Sequence, residues 1–445
     1  MGDSAMKGGV GGLRKDVRMI DIVTLGAGAA IGVAIFSIFA PAAALAGPGM
    51  LISMALAAIP MCVFAFVYAF MGTADPRSGA SYVWPSRYIS PFAGFLIGWL
   101  RILASTGVMV LLATVLVQHW MRVIALPLKP TMAVVFGVFF VLNIRGVAVA
   151  TRVQTALFVL MTLALGLLMV GSAGHLDSRN FLPVLPHGWA GVLAAIPLLV
   201  SLFLGIENAV EVGEETRDAR NTLGRAIAIC VGTILVIYVG VSIATLGVLG
   251  PAALSASDAP LLDAAGAVFG PAAQDLILVA ATLALAKSLN ATLLIFSRYL
   301  FAMGRDGVLP SVLGKIHPRW GTPYVAVTVA FACCLLGLLL PSNLVFLFLA
   351  ANLPTLLKYL GTCVSVLRIL KHRPDIYEGA GFRPDRGRLA AMAWVGVGCA
   401  VGIVLAGITT DWRPYAVLLG WACLGSVGWL GIRRRAEAIT ALSGE

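Results

Sequence analysis

The chain has 445 residues, of which 60% are hydrophobic and 11% are charged, and its mean hydropathy is +0.97. A soluble domain carries about 25% charged residues, so this balance excludes a soluble globule and predicts an integral membrane protein. The net charge of +11 is distributed over short loops, which favours contact with the lipid bilayer and its anionic headgroups over binding of nucleic acid.

Hydrophobic stretches long enough to cross the ~30 Å hydrocarbon core recur along the chain. No long soluble insertion separates them, so we expect an all-α membrane protein with twelve transmembrane helices. The predicted spans are Ile20–Ala46, Met50–Gly72, Pro91–Met121, Met132–Asn143 with its flanks, Arg152–Ser172, Trp189–Val212, Ala226–Leu249, Pro271–Met303, Tyr324–Leu340, Leu344–Ile369, Leu389–Ile408 and Pro414–Ile432. An amphipathic or re-entrant piece, Asp75–Pro91, is expected between spans two and three.

The positions of Lys and Arg predict the orientation. With the N-terminus in the cytoplasm, 24 basic residues lie in cytoplasmic segments and 4 lie in the opposite loops. Both termini are therefore expected in the cytoplasm, in the inner (plasma) membrane of a bacterium. The first span is too long, and lacks a convincing cleavage site, for a removable signal peptide.

Two predicted spans contain residues that weaken a helix. Span one includes "GAGAAIGVAIF" at positions 26–36, where three glycines each cost the helix roughly 1 kcal/mol relative to Ala. Close helix packing through small residues is one explanation, and an interrupted helix is the other. Span six carries Pro197, Gly205 and Glu207 in its middle. Paired interruptions five spans apart favour an inverted repeat with a substrate site between the broken helices.

This repeat divides the chain into predicted units. The expected units are a cytoplasmic segment 1–19, a first repeat 20–172, a second repeat 173–370, a cytoplasmic loop 371–388, two extra helices within 389–432, and a cytoplasmic tail 433–445.

Five stretches together resemble the amino acid–polyamine–organocation transporter superfamily. They are "GAAIGVAIF", "DPRSGASYVWPSRYISPFAGFLIGW", "TRVQT", "FLGIENAVEVGEETRDARNTLGRAI" and "SLNATLLIFSRYLFAMGRDGVLP". The resemblance implies the LeuT-type fold, a five-plus-five inverted repeat with broken helices one and six and two extra helices. It also implies alternating access of a small organic solute, without a cofactor.

The same resemblance assigns substrate-binding positions to the two breaks. In the family, the break in span one offers backbone N–H groups to a substrate carboxylate, supported by the helix dipole. Here the family's Gly-Ser-Gly-Ile-Phe is replaced by Gly-Val-Ala-Ile-Phe, which has no hydroxyl, and Ser201 stands where many relatives have an aromatic residue. The candidate substrate-binding residues are Ala30, Ile31, Gly32, Val33, Ala34, Ser201, Phe203, Gly205, Glu207 and Arg101.

Five ionisable residues lie well inside the predicted spans, and each is expensive in lipid unless it is paired or hydrated. Glu207 is expected to attract a substrate ammonium or to carry a coupled proton, and Glu211 to form a gate or a structural salt bridge. Arg101 either binds a substrate carboxylate or neutralises Glu207. Lys358 is expected to snorkel from a helix end, with a functional role as the second interpretation.

Lys287 lies near the middle of span eight. Sodium-coupled relatives place a cation there against span one, so a lysine predicts transport without sodium. The histidines fall at the ends of predicted spans or in loops, so proton coupling would have to use Glu207 or Lys287. The candidate coupling and gating residues are Glu207, Glu211, Lys287 and Lys358.

The sequence therefore predicts a secondary active transporter of an amino acid or a related organic amine, working by proton symport or by exchange. A channel-like or receptor-like protein of the same fold is the alternative. No nucleophile–base pair, metal-ligand spacing or nucleotide-binding motif indicates an enzyme, a metal or a cofactor. The expected partners are the organic solute, protons and lipid.

Overall fold

The computed structural model describes residues 19–77, 80–121, 123–145, 150–207, 210, 216, 218–318, 322–341 and 343–442. Helices dominate these residues. In the first half of the chain they are α1 (Met19–Ala30), α2 (Val33–Ser37), α3 (Phe39–Ala46), α4 (Met50–Ala74), α5 (Ala80–Tyr88), α6 (Pro91–Met121), α7 (Leu128–Arg145) and α8 (Ala150–Ser172).

The second half begins with α9 (Gly188–Leu199), which continues into a short 3-10 helix, Val200–Phe203. The remaining helices are α10 (Ala219–Ala256), α11 (Pro260–Phe269), α12 (Pro271–Arg305), α13 (Tyr324–Gly337), α14 (Leu344–His372), α15 (Pro374–Glu378), α16 (Arg386–Thr410) and α17 (Arg413–Leu442).

The helices follow the predicted spans closely, with two informative differences. Span three and α6 share the same bounds. Helix α10 extends past its predicted end through a kink at Gly250, whose φ of 76° is non-helical. Helix α17 continues to Leu442, through residues predicted as a tail. The predicted piece between spans two and three is α5, which packs against α6 and α14.

Within the described residues, five helical stretches have the length and apolar composition needed to cross a membrane. They are Phe39–Ala74, Pro91–Met121, Ala219–Ala256, Leu344–His372 and Arg386–Thr410. Five shorter apolar helices accompany them, at Leu128–Ile144, Phe158–Ser172, Gly188–Phe203, Pro260–Phe269 and Tyr324–Gly337.

Helix α6 is the most buried of the five longer stretches, with 78% of an apolar 18-residue segment buried inside the protein. It packs along α14 on one side and along α12 and α17 on others, while α10 packs along α4 and α1. The 3-10 helix contacts both α1 and α2. The packing therefore brings the two predicted interruptions next to each other.

Helix α17 is attached to α6 by a reciprocal pair of indoles. The rings of Trp99 and Trp421 stack with centroids 4.5 Å apart and planes 8° apart. The Trp99 indole donates a hydrogen bond to the Trp421 carbonyl at 2.7 Å, and the Trp421 indole donates to the Trp99 carbonyl at 2.8 Å. Both indole N–H groups thus have backbone partners in this half-buried interface, as tryptophan N–H groups away from water require.

This interface predicts different effects for two glycines of α17. A Cβ at Gly425 would collide with the Trp99 ring, whereas a Cβ at Gly428 would meet nothing within 4 Å. We expect Gly425→Ala to destabilise the protein by about 1–3 kcal/mol through overpacking. Gly428→Ala is expected to be neutral or slightly stabilising, because alanine is the better helix former. Thermal unfolding of the two variants in detergent tests this, and equal melting temperatures would contradict it.

Candidate functional site

The first interruption lies between α1 and α2. Helix α1 ends at Ala30 and α2 begins at Val33. At Gly32 the backbone turns out of the helix, with φ −114° and ψ −132°, and its N–H donates to the Ala30 carbonyl at 2.7 Å. No side chain caps the start of α2. The break therefore falls at Ile31–Gly32, inside the segment for which the glycine cluster predicts it.

Side chains from other helices bind two carbonyl groups at the end of α1. The hydroxyl of Tyr238 on α10 donates to the Ala30 carbonyl at 2.6 Å. The ammonium of Lys287 on α12 donates to the Gly28 carbonyl at 3.2 Å. Because a helix end leaves carbonyl groups without intrahelical partners, these two donors stabilise the interruption.

Glycine at position 28 makes room for the Phe158 ring, and it lies beside the Lys287 ammonium. A Cβ there would lie 3.6 Å from the Lys287 Nζ atom and 3.2 Å from the Phe158 ring. The contact joins α12 to α1, which are the helices of predicted spans eight and one. The Lys287 ammonium therefore contacts α1 close to the first interruption.

The second interruption follows Pro197. Proline has no backbone N–H and weakens the helix in which it lies. Helix α9 ends at Leu199, the chain tightens into the 3-10 helix, and Leu204 is extended with ψ 132°. Gly205 has φ 118°, a conformation that residues with a Cβ rarely adopt. The break thus covers the predicted residues Ser201 to Gly205.

Helix α14 holds the first part of this break through Asn352, which is 1% exposed. The side-chain amide of Asn352 lies 2.8 Å from the Pro197 carbonyl and 2.7 Å from the Ser201 hydroxyl oxygen. An amide group has two N–H donors, so it can serve both acceptors.

The same helix holds the end of the break through a buried ion pair. The Lys358 ammonium lies 2.8 Å from Oε1 of Glu207, and the two side chains are 3% and 7% exposed. The Tyr359 hydroxyl donates to Oε2 of Glu207 at 2.6 Å, and the Gly205 N–H donates to the same oxygen at 2.8 Å. Both carboxylate oxygens are therefore hydrogen-bonded to protein groups.

Lys358 does not snorkel to a helix end. It lies at the middle of the 29-residue helix α14 and points into the protein. The charge of Glu207 is therefore neutralised by direct contact with Lys358. Arg101 lies on α6 with its guanidinium carbon 5.3 Å from the centre of the Tyr299 ring.

The remaining predicted site residues are placed as follows. Ala30, Ile31 and Ala34 are buried at the first break, and Phe203 is buried against the Tyr238 ring with centroids 6.0 Å apart. The side chain of Val33 and the whole of Glu211 lie outside the part of the chain that is described. Among the described residues, no group of three or more His, Cys, Asp or Glu side chains could hold a metal ion.

Three residues at the site escaped the sequence analysis, namely Tyr238, Asn352 and Tyr359. A signal existed for Asn352, because an amide in the apolar run "FLFLAANLPTLL" must find partners. Tyr359 directly follows Lys358 in the sequence, so assigning Lys358 to the site would have drawn attention to Tyr359 as well. Tyr238 lies at the middle of predicted span seven, where a hydroxyl in an apolar run must find a partner, so its position was also a signal.

One family model and several known transporters are similar to this chain. A family model described as amino acid permease matches residues 19–423. An uncharacterized transporter of Mycobacterium tuberculosis is 32% identical over 320 residues, which are 72% of this chain and 72% of that protein. The branched-chain amino acid permease BcaP of Bacillus subtilis is 28% identical over 82% of this chain and 83% of its own. The methylthioribose transporter of Bacillus subtilis is 28% identical over 94% of this chain and 92% of its own.

Proposed function

Because the chain belongs to the amino acid permease family, we propose that it is a secondary active transporter of an amino acid or a related organic amine, working by alternating access. The observation that carries this proposal is the pair of adjacent helix interruptions at Ile31–Gly32 and Val200–Glu207. A solute bound between two broken helices can be closed off from either side of the membrane. An open pore does not need such enclosure, so the paired breaks favour a carrier. The relative BcaP is named a branched-chain amino acid permease, which favours an amino acid as the solute.

We extend the proposal to the architecture. The interruptions would be equivalent elements of a five-plus-five inverted repeat, with α16 and α17 as the two extra helices. The orientation would place both termini in the cytoplasm of a bacterium, since 24 of the 31 basic residues fall in the segments predicted for that side.

The first break would bind the solute through its backbone. The N–H groups of Val33 and Ala34 lie in the first turn of α2, so they suit a carboxylate. Ser201 and Phe203 would contact the remainder of the solute from the second break. A carboxylate held by backbone donors needs no hydroxyl at this turn, which is consistent with Val33 in place of a serine.

Exchange across a vesicle membrane tests the transporter. Proteoliposomes containing the full chain would be loaded with unlabelled amino acid and then given labelled amino acid outside. A carrier is expected to take up label above equilibrium, because the outward flux of one molecule returns the binding site for another. A channel-like protein would not take up label above equilibrium, so the same experiment distinguishes a carrier from a channel.

We also propose that transport does not need sodium. The Lys287 ammonium, 3.2 Å from the Gly28 carbonyl, would occupy the position at which sodium-coupled proteins of this fold bind their ion. Replacing sodium with choline is therefore expected to leave the initial uptake rate unchanged. The check is the apparent affinity for the solute across a series of sodium concentrations, and an affinity that rises steeply with sodium would contradict the assignment.

A further inference from the structure

The chemistry around Glu207 restricts the charge of the solute, and this inference rests on the proposed function. Glu207 is the acidic residue within the second interruption, residues 200–207. A solute with net positive charge would need such a carboxylate, because an unpaired charge is unfavourable away from water. Whether the carboxylate can accept a solute ammonium depends on what already binds it.

Protein donors bind both oxygens of Glu207. Lys358 binds Oε1 at 2.8 Å, while Tyr359 and the Gly205 N–H bind Oε2 at 2.6 and 2.8 Å. The charge of Glu207 is balanced by an ammonium that belongs to the protein. A second ammonium at the same carboxylate would face the repulsion of Lys358 in a place with little water to screen it.

Two carbonyl acceptors beside the first interruption are bound in the same way. The Gly28 carbonyl accepts from the Lys287 ammonium and the Ala30 carbonyl accepts from the Tyr238 hydroxyl. Unwound carbonyl groups are the second kind of acceptor that an organic cation uses in such sites. Here a lysine and a tyrosine take up two of those nearest the break.

We propose that Lys358 is a specificity-determining residue, a tethered ammonium that occupies Glu207 and thereby excludes solutes with net positive charge. The transported solute is then a zwitterionic amino acid with an uncharged side chain, which brings its own carboxylate to balance its ammonium. Polyamines, simple amines and dibasic amino acids are excluded. This narrows the proposed solute class from amino acids and amines to the former alone.

Counterflow with four solutes tests the exclusion in the unmodified protein. Leucine, serine, arginine and putrescine would be supplied in turn to proteoliposomes loaded with leucine or serine. Leucine or serine is expected to exchange, whereas arginine and putrescine neither exchange nor compete. If arginine or putrescine exchanges as fast as leucine, the inference is wrong and the transporter stands. If no amino acid or amine exchanges when it is loaded on both sides of the membrane, the proposed function itself fails.

Two variants test the role of Lys358 directly. Lys358→Met leaves the Glu207 carboxylate without its ammonium, so competition by arginine relative to leucine is expected to strengthen by 10-fold or more. The matched control is the double variant Glu207→Gln/Lys358→Met, which has no carboxylate and is expected to lose that gain. If the folded Lys358→Met protein shows the same competition by arginine relative to leucine as the unmodified protein, the Glu207–Lys358 pair has a structural role only.

A milder substitution keeps the test decisive if Lys358→Met does not fold. Lys358→Gln retains a hydrogen-bond donor toward Glu207 but removes the charge, so it is expected to shift the same ratio in the same direction. If neither single variant folds, the unmodified protein decides the inference, since exchange of arginine or putrescine overturns it.

Discussion

Replacing either member of the Glu207–Lys358 pair alone is expected to destabilise the protein by about 3–5 kcal/mol, since it leaves a buried charge without its partner. The two side chains are 7% and 3% exposed and their charged atoms are 2.8 Å apart. Removing both charges in Glu207→Gln/Lys358→Met is expected to restore most of the loss. Thermal unfolding of the three purified variants in detergent measures the difference.

A second double variant identifies which cation balances Glu207. Sequence reasoning offered Arg101 for this role, but the direct contact is with Lys358. Arg101→Met is therefore expected to leave Glu207→Gln as unstable as it is alone, whereas Lys358→Met rescues it. Rescue by Arg101→Met and not by Lys358→Met would show that the ion pair in the structure is not the one that matters for folding.

The glycine and proline positions account for the part of the site that was predictable. The cluster at positions 26–32 and the combination of Pro197 with Gly205 mark weak points of helices that are otherwise strongly apolar. Such weakness is local, so it can be read from the chain directly. Both interruptions accordingly fall where the residues predict them.

The partners of the charged groups were not predictable in the same way. Lys358 and Glu207 are separated by 151 positions, as are Ser201 and Asn352. Which lysine meets which carboxylate depends on how α14 packs beside α9 and the 3-10 helix, and no local pattern encodes that register. A lysine at the middle of an apolar helix was the available hint, because snorkelling requires a helix end within reach of the interface.

The pair also changes which residue is suited to carry a coupled proton. Glu207 accepts hydrogen bonds from Lys358, Tyr359 and the Gly205 N–H. Protonating it in every transport cycle would break an ion pair that also holds α14 against the second break. Lys287 instead bridges α12 and α1 through the Gly28 carbonyl, so gain or loss of its charge would change one contact at the first break.

Lys287→Met is therefore expected to abolish accumulation driven by a proton gradient while counterflow continues. A gradient of one pH unit is worth about 1.4 kcal/mol, which supports up to ~10-fold accumulation for one proton per solute. The variant is expected to equilibrate the solute without accumulating it, because methionine fills the space without binding a proton. The measurement compares uptake with and without an imposed gradient in proteoliposomes.

The matched control is Lys371→Met, which removes a lysine exposed at the end of α14 and is expected to accumulate like the unmodified protein. Melting temperatures of both variants separate a loss of coupling from a loss of folding. A Lys287→Met protein that is folded and still accumulates solute would place the proton elsewhere. Exchange needs solute binding and reorientation of the protein but no net proton movement. A Lys287→Met protein that is folded but has also lost counterflow would therefore show that the Lys287–Gly28 contact is needed for solute binding or reorientation.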